Sequence, residues 1–197
     1  MKRNLFITLL LISSLLCQAQ QYTNWIVEYQ ASGNYNFVGD RFFIKSQTPN
    51  MSSDDVQFKN YASFVAKLFN NKSATRVYSE SEANVIIYLY CSISGPHQES
   101  GVYYTPQVSI PVNGVIFNYG GPRTYTNLYY CRDLVINVYD KSGQNKWKIN
   151  VRSVGGSNDY SYVLPLMCYA IRNQIGYSGS DKVTFTDYDG ARKFFDY

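Results

Sequence analysis

The chain has 197 residues, of which 45% are hydrophobic, 17% aromatic and only 16% charged, and its formal net charge is +4. This length suits a single domain with a sizeable core. No block of Lys or Arg occurs along the chain. Because a surface that tracks phosphates needs such a block, the sequence argues against a nucleic-acid partner.

The N-terminus has the pattern of a secretory signal peptide. Lys2 and Arg3 supply positive charge, residues 5–16 are apolar, and Ala19 is a small residue at the expected cleavage point. We therefore predict cleavage between Ala19 and Gln20. The mature chain would be exported to the periplasm or the cell exterior, with association to the outer membrane as a further option.

Cys17 offers an alternative reading of this leader, because a lipidated cysteine would attach the chain to a membrane. That processing requires a small residue before the cysteine, and the bulky Leu16 stands there. No later segment reaches the roughly 20 apolar residues of a membrane-spanning helix. We therefore expect no transmembrane segment, and membrane association only if Cys17 is lipidated.

The first half of the mature chain alternates predicted strands with one amphipathic helix. Strands are predicted over residues 25–29 and 40–45. A helix follows, with Ser52 as a candidate N-cap and apolar residues at helical spacing between 56 and 69. Residues 83–91 carry no charge, which predicts a central strand buried on both faces.

Residues 95–130 have a different texture, because Pro and Gly recur through them. Such residues punctuate loops and turns, so we predict a loop-rich, variable insertion whose short apolar runs are edge strands or an elaborated hairpin. A clear hairpin follows, with strands over 133–140 and 146–152. A second helix is predicted over about 160–175 and a short strand over 183–185.

This order of elements predicts one α+β domain over residues 20–197, with the Pro/Gly/Tyr-rich insertion at about 95–130. Apolar and polar residues alternate over 146–152, which indicates a sheet with one packed face and one solvated face. We therefore expect a mostly antiparallel sheet with two helices packed on one face, as in a two-layer sandwich.

Three cysteines remain after the predicted cleavage, namely Cys91, Cys131 and Cys168. An oxidising compartment permits one disulfide among them. Cys91 and Cys131 both lie in predicted strands and could pair across the sheet, whereas Cys168 lies in the second predicted helix as a buried residue. The alternative is that all three are reduced core residues. Their spacing matches no zinc site.

One segment carries a family resemblance. Its pattern consists of a strand, a helix and the entry to a second strand, with the residues Phe42, Phe43, Ile44, Phe58, Tyr61, Val65, Leu68, Ala83, Asn84, Val85 and Ile86. The segment over 42–96 resembles an uncharacterised bacterial envelope family, domain of unknown function 4136. The resemblance implies an α/β sandwich in the cell envelope, often lipid-anchored, and transfers no catalytic residue.

Few residues indicate catalysis or a metal site. His97 is the one histidine, and a Ser–His–acid arrangement around it would have no specific sequence context. Asp181, Asp187 and Asp189 could offer oxygen ligands to Ca²⁺, but the terminal acidic ligand of a calcium loop is missing. We therefore expect no metal, no cofactor and no enzymatic activity, with a secreted hydrolase of unfamiliar type as the alternative.

Aromatic residues give the strongest candidate for a binding surface. Six tyrosines lie in or beside the insertion, at Tyr103, Tyr104, Tyr119, Tyr125, Tyr129 and Tyr130. An exposed tyrosine presents an apolar ring with a polar tip, which suits contact with a protein or a glycan. We therefore predict an interaction module for an envelope protein or glycan. The alternative is that these rings cover the sheet.

Overall fold

The computed structural model describes residues 25–112 and 115–195. The predicted signal peptide, with Cys17, Ala19 and Gln20, lies outside these residues. The described residues form a seven-stranded sheet and three α-helices, so the chain is α+β with most of its regular structure in strands.

The strands in chain order are β1 (Trp25–Ser32), β2 (Arg41–Ser46), β3 (Thr75–Arg76), β4 (Val85–Val112), β5 (Val115–Asp140), β6 (Asn145–Gly155) and β7 (Gly179–Phe185). The helices are α1 (Val56–Asn70), α2 (Tyr160–Ile171) and α3 (Asp189–Phe195), and a 3₁₀ turn covers Glu80–Glu82. The strands lie side by side in the order β3-β2-β4-β5-β6-β1-β7. β2 runs parallel to β3 and β4, and the other four pairings are antiparallel.

The alternation predicted for β6 is present. Trp147, Ile149 and Val151 are buried on one face, and Asn150 and Arg152 on the other face are exposed. Residues of α1 and α2 join the buried side chains of the sheet in one hydrophobic core. Burial of this apolar face is the main stabilising term for such an arrangement.

An aromatic cluster occupies the centre of this core, and Phe69 of α1 connects its members. The Phe69 ring centroid lies 4.9 Å from that of Phe37, 5.5 Å from Phe42 and 6.2 Å from Trp147. The Trp147 indole N–H donates to the carbonyl of Tyr177 at 3.1 Å, so its one polar group is satisfied. Phe69 therefore joins helix α1 to the middle of the sheet.

The helices differ from the prediction in number and length. The sequence predicted two, whereas the described residues contain three α-helices, and α2 ends at Ile171 rather than near 175. The additional helix, α3, lies in the C-terminal tail and packs Phe195 edge-on against Phe64 of α1 at 5.1 Å. None of the helices in the described ranges combines the length and hydropathy needed to cross a membrane.

Asp140 holds the turn between β5 and β6. Its carboxylate accepts hydrogen bonds from the backbone N–H groups of Ser142 and Gln144 at 2.9 and 3.0 Å and from the Ser142 hydroxyl. It also forms an ion pair with Lys146 at 2.9 Å. The Ser142 bond, followed by the Lys146 bond, lowers the pKa of Asp140 below its ordinary value.

We predict that Phe69→Ala lowers the free energy of unfolding by about 3–5 kcal/mol, because truncating a buried phenylalanine loses apolar burial and leaves a cavity. Equilibrium urea unfolding measures this change. Val56→Ala in the same helix is the control, because Val56 is exposed and its truncation should change stability by less than about 0.5 kcal/mol. A similar loss for both variants would contradict this account of the core.

We also predict that Asp140→Ala destabilises the fold at pH 7 and that this difference shrinks in acid. Because the pKa of Asp140 is lower in the folded state, its carboxylate stabilises the fold fully above the unfolded value of about 3.9 and less as the pH falls below it. Urea unfolding of both proteins at pH 7 and pH ~2.5 measures the difference. An equal gap at the two pH values would rule out the assigned role of the ionised carboxylate.

Candidate functional site

Strands β4 and β5 extend far beyond the rest of the sheet. β2 is last paired with β4 at Leu89, and β6 with β5 at Tyr130. Beyond these points, residues 95–112 and 115–130 form a two-stranded antiparallel ladder with no third strand among the described residues. We call this segment the ribbon. At about 3.3 Å per residue, it extends roughly 50 Å from the sheet.

The ribbon is the elaborated hairpin, one of the two forms that the sequence allowed for this insertion, and its strands are far more continuous than a loop-rich segment. The ladder shifts register between Ser94 and His97 and again between Thr105 and Val108. Pro96 and Pro106 lie inside these two irregularities, where a strand tolerates a residue that cannot donate a ladder hydrogen bond. The prolines that indicated a loop are therefore accommodated in bulges of a continuous hairpin.

A buried arginine lies at the root of the ribbon, by which we mean the end where the ribbon joins the rest of the sheet. Arg132 of β5 has 0% of its surface exposed. Its guanidinium donates to the Ser153 hydroxyl at 3.4 Å, to the carbonyl of Gly155 at 3.0 Å and to the carbonyl of Ser157. Burial lowers the pKa of Arg132. These bonds tie β5 to the end of β6 and to the segment that leads into α2.

The described cysteines are not bonded to one another. Cys91 lies opposite Leu134 in the ladder and Cys131 lies opposite Ser94. Positions 131 and 134 are an odd number apart, so their side chains project from opposite faces of the sheet. The disulfide that the sequence suggested between Cys91 and Cys131 is therefore incompatible with this register.

The buried thiols also lack the properties of nucleophiles. Burial raises the pKa of Cys91 to about 12 and the pKa of Cys168 well above its ordinary value. A catalytic cysteine needs a lowered pKa, because the thiolate is the reactive form. Tyr160 lies beside them and donates from its hydroxyl to the carbonyl of Asp133 at 2.9 Å, so this cluster packs α2 onto β5.

Four of the six ribbon tyrosines fall into two groups that differ in exposure. Tyr103 and Tyr104 are 51% and 79% exposed. Tyr129 and Tyr130 are half-buried near the root, where the Tyr129 ring lies 5.3 Å from that of His97. Exposure thus separates two tyrosines whose rings face solvent from two that pack at the root.

Tyr125 covers a glycine on the neighbouring strand. Tyr125 lies opposite Gly101 in the ladder, and a Cβ added to Gly101 would meet the Tyr125 ring at 2.6 Å. A tyrosine that covers a cross-strand glycine stabilises a strand pair that lacks a side chain at that position. Tyr119 occupies a ladder position opposite Val108.

His97, which was considered for catalysis, lies on the ribbon, whereas the aspartates considered for calcium lie in β7 and the C-terminal tail. His97 is exposed on the ribbon, with its Nε2 atom 3.3 Å from the Ser94 hydroxyl. In the tail, the Asp187 carboxylate accepts from the backbone N–H of Asp189 at 3.0 Å. Within the described ranges, no group of three or more His, Cys, Asp or Glu side chains is placed to hold a metal ion.

Sequence reasoning missed two charged residues of the ribbon. Glu99 on β4 and Arg123 on β5 are exposed, and they carry the only formal charges in residues 95–130. Glu99 lies opposite Asn127 and Arg123 opposite Tyr103. Within the described part of the chain, neither forms an ion pair. The scarcity of charge over this stretch was the signal that could have identified them.

A second aromatic cluster lies on the body, by which we mean the described residues outside the ribbon. Its members are far apart in the chain, so no sequence pattern indicated it. The Tyr162 and Tyr188 rings lie 4.8 Å apart, and Trp25 packs edge-on against Tyr188 at 6.0 Å. A cleft of about 520 Å³ beside them is lined in addition by Asp159 and Arg192. The Asp159 carboxylate is occupied as the N-cap of α2, accepting from Tyr162 N–H.

Comparison with known proteins gives a distant structural similarity. No family model matches the chain, and no curated protein sequence matches it; the resemblance over 42–96 therefore stays an expectation. The PelC dodecamer from Paraburkholderia phytofirmans superposes with a TM-score of 0.46 at 10% identity, covering 78% of this chain and 99% of the PelC chain. A single-substitution variant of it gives 0.45 at 10% identity, covering 77% and 98%.

A PDZ domain protein from Parabacteroides distasonis gives a TM-score of 0.43 at 12% identity and covers 88% of this chain and 42% of that protein. At these identities and TM-scores, the similarity carries no information about the function of this chain.

We predict that Gly101→Ala displaces the Tyr125 ring, because the added methyl group would lie 2.6 Å from it, while the melting temperature of the body stays unchanged. Chemical nitration of Tyr125, quantified by mass spectrometry, measures the increase in ring accessibility. Ser100→Ala is the matched control on the adjacent residue. Unchanged nitration in the glycine variant would show that the ring does not rest on Gly101.

Proposed function

We propose that this chain is a non-enzymatic, exported protein of the cell envelope that uses the ribbon to contact a partner, an envelope protein or glycan. In this proposal the body serves as a two-layer scaffold, with α1 and α2 on one face of the sheet, that holds the root of the ribbon. The export signal is the pattern of residues 1–19. The proposal depends on one observation, namely that the ribbon continues as a two-stranded ladder beyond the rest of the sheet.

The composition of the ribbon supports a contact role. A projecting strand pair contributes nothing to the core of the body, so its exposed apolar side chains need another reason to be present. Val102, Tyr103, Tyr104, Ile116 and Leu128 are all exposed there. Tyrosine is enriched at protein interfaces because it offers a large ring and a polar hydroxyl.

A hydrolase is the weaker reading. Cys91 and Cys168 are buried with raised pKa values, which disfavours a thiol nucleophile. His97 is exposed on the ribbon. General acid–base chemistry instead favours an enclosed pocket that excludes water.

We predict that the double variant Tyr103→Ser/Tyr104→Ser loses at least about 90% of the envelope material that co-purifies with the tagged full-length chain from its host. Loss of the ring surface removes the contact, because aromatic anchors dominate binding energy. Stability should change by less than about 0.5 kcal/mol, because both side chains are exposed.

The matched control is Tyr78→Ser/Tyr177→Ser, which removes two exposed tyrosines from the body. This variant should co-purify as much material as the wild type. Equal losses in the two double variants would contradict the assignment of the contact to the ribbon. Unfolding of the ribbon variant would instead show that Tyr103 and Tyr104 are structural.

A further inference from the structure

The two faces of the ribbon differ in charge. Side chains alternate between the faces along each strand, and residues directly opposite each other share a face. Glu99 and Tyr103 are an even number of residues apart on β4, and Tyr103 lies opposite Arg123, so both charges of the ribbon project from one face. The opposite face, which we call the uncharged face, carries Gln98, Ser100, Val102, Tyr104, Ile116, Pro122, Thr124, Thr126 and Leu128.

The uncharged face continues the side of the sheet that α1 and α2 cover in the body. Leu134 and Ile136 of β5 are buried in the core with residues of both helices. Both register shifts add their extra residue to β4, so side chains alternate without interruption along β5, and Leu128 projects from the same side as Leu134. Val102, Tyr104 and Leu128 are each more than half exposed. The apolar side of the sheet therefore continues into the ribbon, where it is open to solvent.

The exposed apolar residues are placed symmetrically along the uncharged face. Leu128 lies near the root, Tyr104 lies opposite Pro122 in the middle, and Ile116 lies near the tip. Along β5, Pro122 is six residues from Leu128 and six from Ile116. A two-fold rotation at Pro122 therefore exchanges the positions of Leu128 and Ile116, so the face matches a second copy of itself that runs in the opposite direction.

We propose that the partner of the ribbon is a second copy of this chain, with the two uncharged faces packed together and the two ribbons antiparallel. This inference rests on the proposed function, since it names the partner of the same surface. The two-fold axis lies between the faces, perpendicular to the strands, at the level of Pro122. It places Leu128 of each copy against Ile116 of the other, in an isologous contact.

The antiparallel arrangement keeps the two bodies apart. With the axis at Pro122, residue 115 at the tip of one ribbon reaches the level of residue 129 at the root of the other, so the bodies lie at opposite ends of the paired ribbons. In a parallel arrangement, helices α1 and α2 of the two copies would collide, because they lie on the same side of the sheet as the uncharged face.

The size and charge of the contact suit a dimer. A two-stranded face about 10 Å wide and about 50 Å long covers about 500 Å² on each copy. The two copies together then bury about 1,000 Å², which is the lower limit for a specific interface. Glu99 and Arg123 project from the outer faces of the pair and stay in solvent, so no charge is buried by the contact. Because side chains pack against side chains, the contact needs no backbone hydrogen bonds between the copies.

Charge insertion on either face of the ribbon tests the proposal with the purified mature chain. We expect the wild type to dimerise in sedimentation velocity runs over a concentration series. Leu128→Lys should weaken dimerisation at least about tenfold, since the contact would bury an unpaired charge. Asn127→Lys is the matched control, because Asn127 lies opposite Glu99 on the other face, and it should dimerise like the wild type.

A wild type that is monomeric at every concentration, or equal dimerisation of the Leu128→Lys and Asn127→Lys variants, would overturn the proposal. The melting temperature shows whether each variant is folded. If Leu128→Lys does not fold, Val102→Lys places the same charge at another exposed position of the uncharged face and should weaken dimerisation in the same way.

Cross-linking checks the direction of the ribbons. In a Cys131→Ser background, mixing the Leu128→Cys and Ile116→Cys proteins with a short bis-maleimide should give a cross-linked heterodimer, and either protein alone should give little. A dominant homodimer of Ile116→Cys would contradict the antiparallel arrangement. The proposed function fails separately: a monomeric wild type that still loses co-purifying material in Tyr103→Ser/Tyr104→Ser would reject the second copy and keep the ribbon as the contact surface.

Discussion

The pairing of β4 with β5 is the constraint on which the rest of the structure depends. The same ladder begins in the core at Val85 opposite Asp140 and continues to Val112 opposite Val115, interrupted by two irregularities. In the body, β2 and β6 flank it and its inner face is buried. In the ribbon, no third strand pairs with the ladder among the described residues. The same strand pair therefore forms the centre of the sheet and the ribbon that extends from it.

The ribbon needs support from the body at its root, because a two-stranded hairpin on its own is marginally stable in water. The guanidinium of Arg132 bonds to groups on and after β6, and Tyr160 of α2 bonds to the backbone of β5 at Asp133. A buried charge is costly unless it is hydrogen-bonded, so the bonds that offset this cost for Arg132 also fix the root of the ribbon to the body. Farther out, the packing of Tyr125 on Gly101 supports the ladder locally.

Sequence patterns located most elements of the body, although not helix α3. The uncharged run that contains residues 85–91 is a central strand, and helix α1 and the hairpin of β5 with β6 lie close to their predicted positions. These elements bury one face, so hydrophobic periodicity reports them directly. The order of strands, with β2 parallel to β4, depends on contacts between distant residues, and no local pattern encodes it.

The sequence allowed an elaborated hairpin over residues 95–130 but did not predict strands this continuous, and the reason is physical. Pro and Gly usually interrupt ladders, but here Pro96 and Pro106 lie in irregularities and Pro122 lies opposite Tyr104 where its missing N–H faces outward. Without a core on either face, the ribbon also lacks the alternating burial that identifies strands. The six tyrosines were identified from the sequence, but only the structure separates the exposed Tyr103 and Tyr104 from the half-buried Tyr125, Tyr129 and Tyr130.

Amide hydrogen exchange of the ribbon, followed residue by residue by NMR, tests the central claim that it is an ordered continuation of the core strands. The Leu89 carbonyl accepts from Gln47 N–H on the side away from β5. This phase, carried through the ladder register, directs the N–H groups of Glu99, Gly101 and Tyr103 into the ladder. They should exchange at least about tenfold more slowly than unstructured peptide, because exchange then requires opening of the ladder. Exchange of all three at the rate of an unstructured peptide would contradict the account.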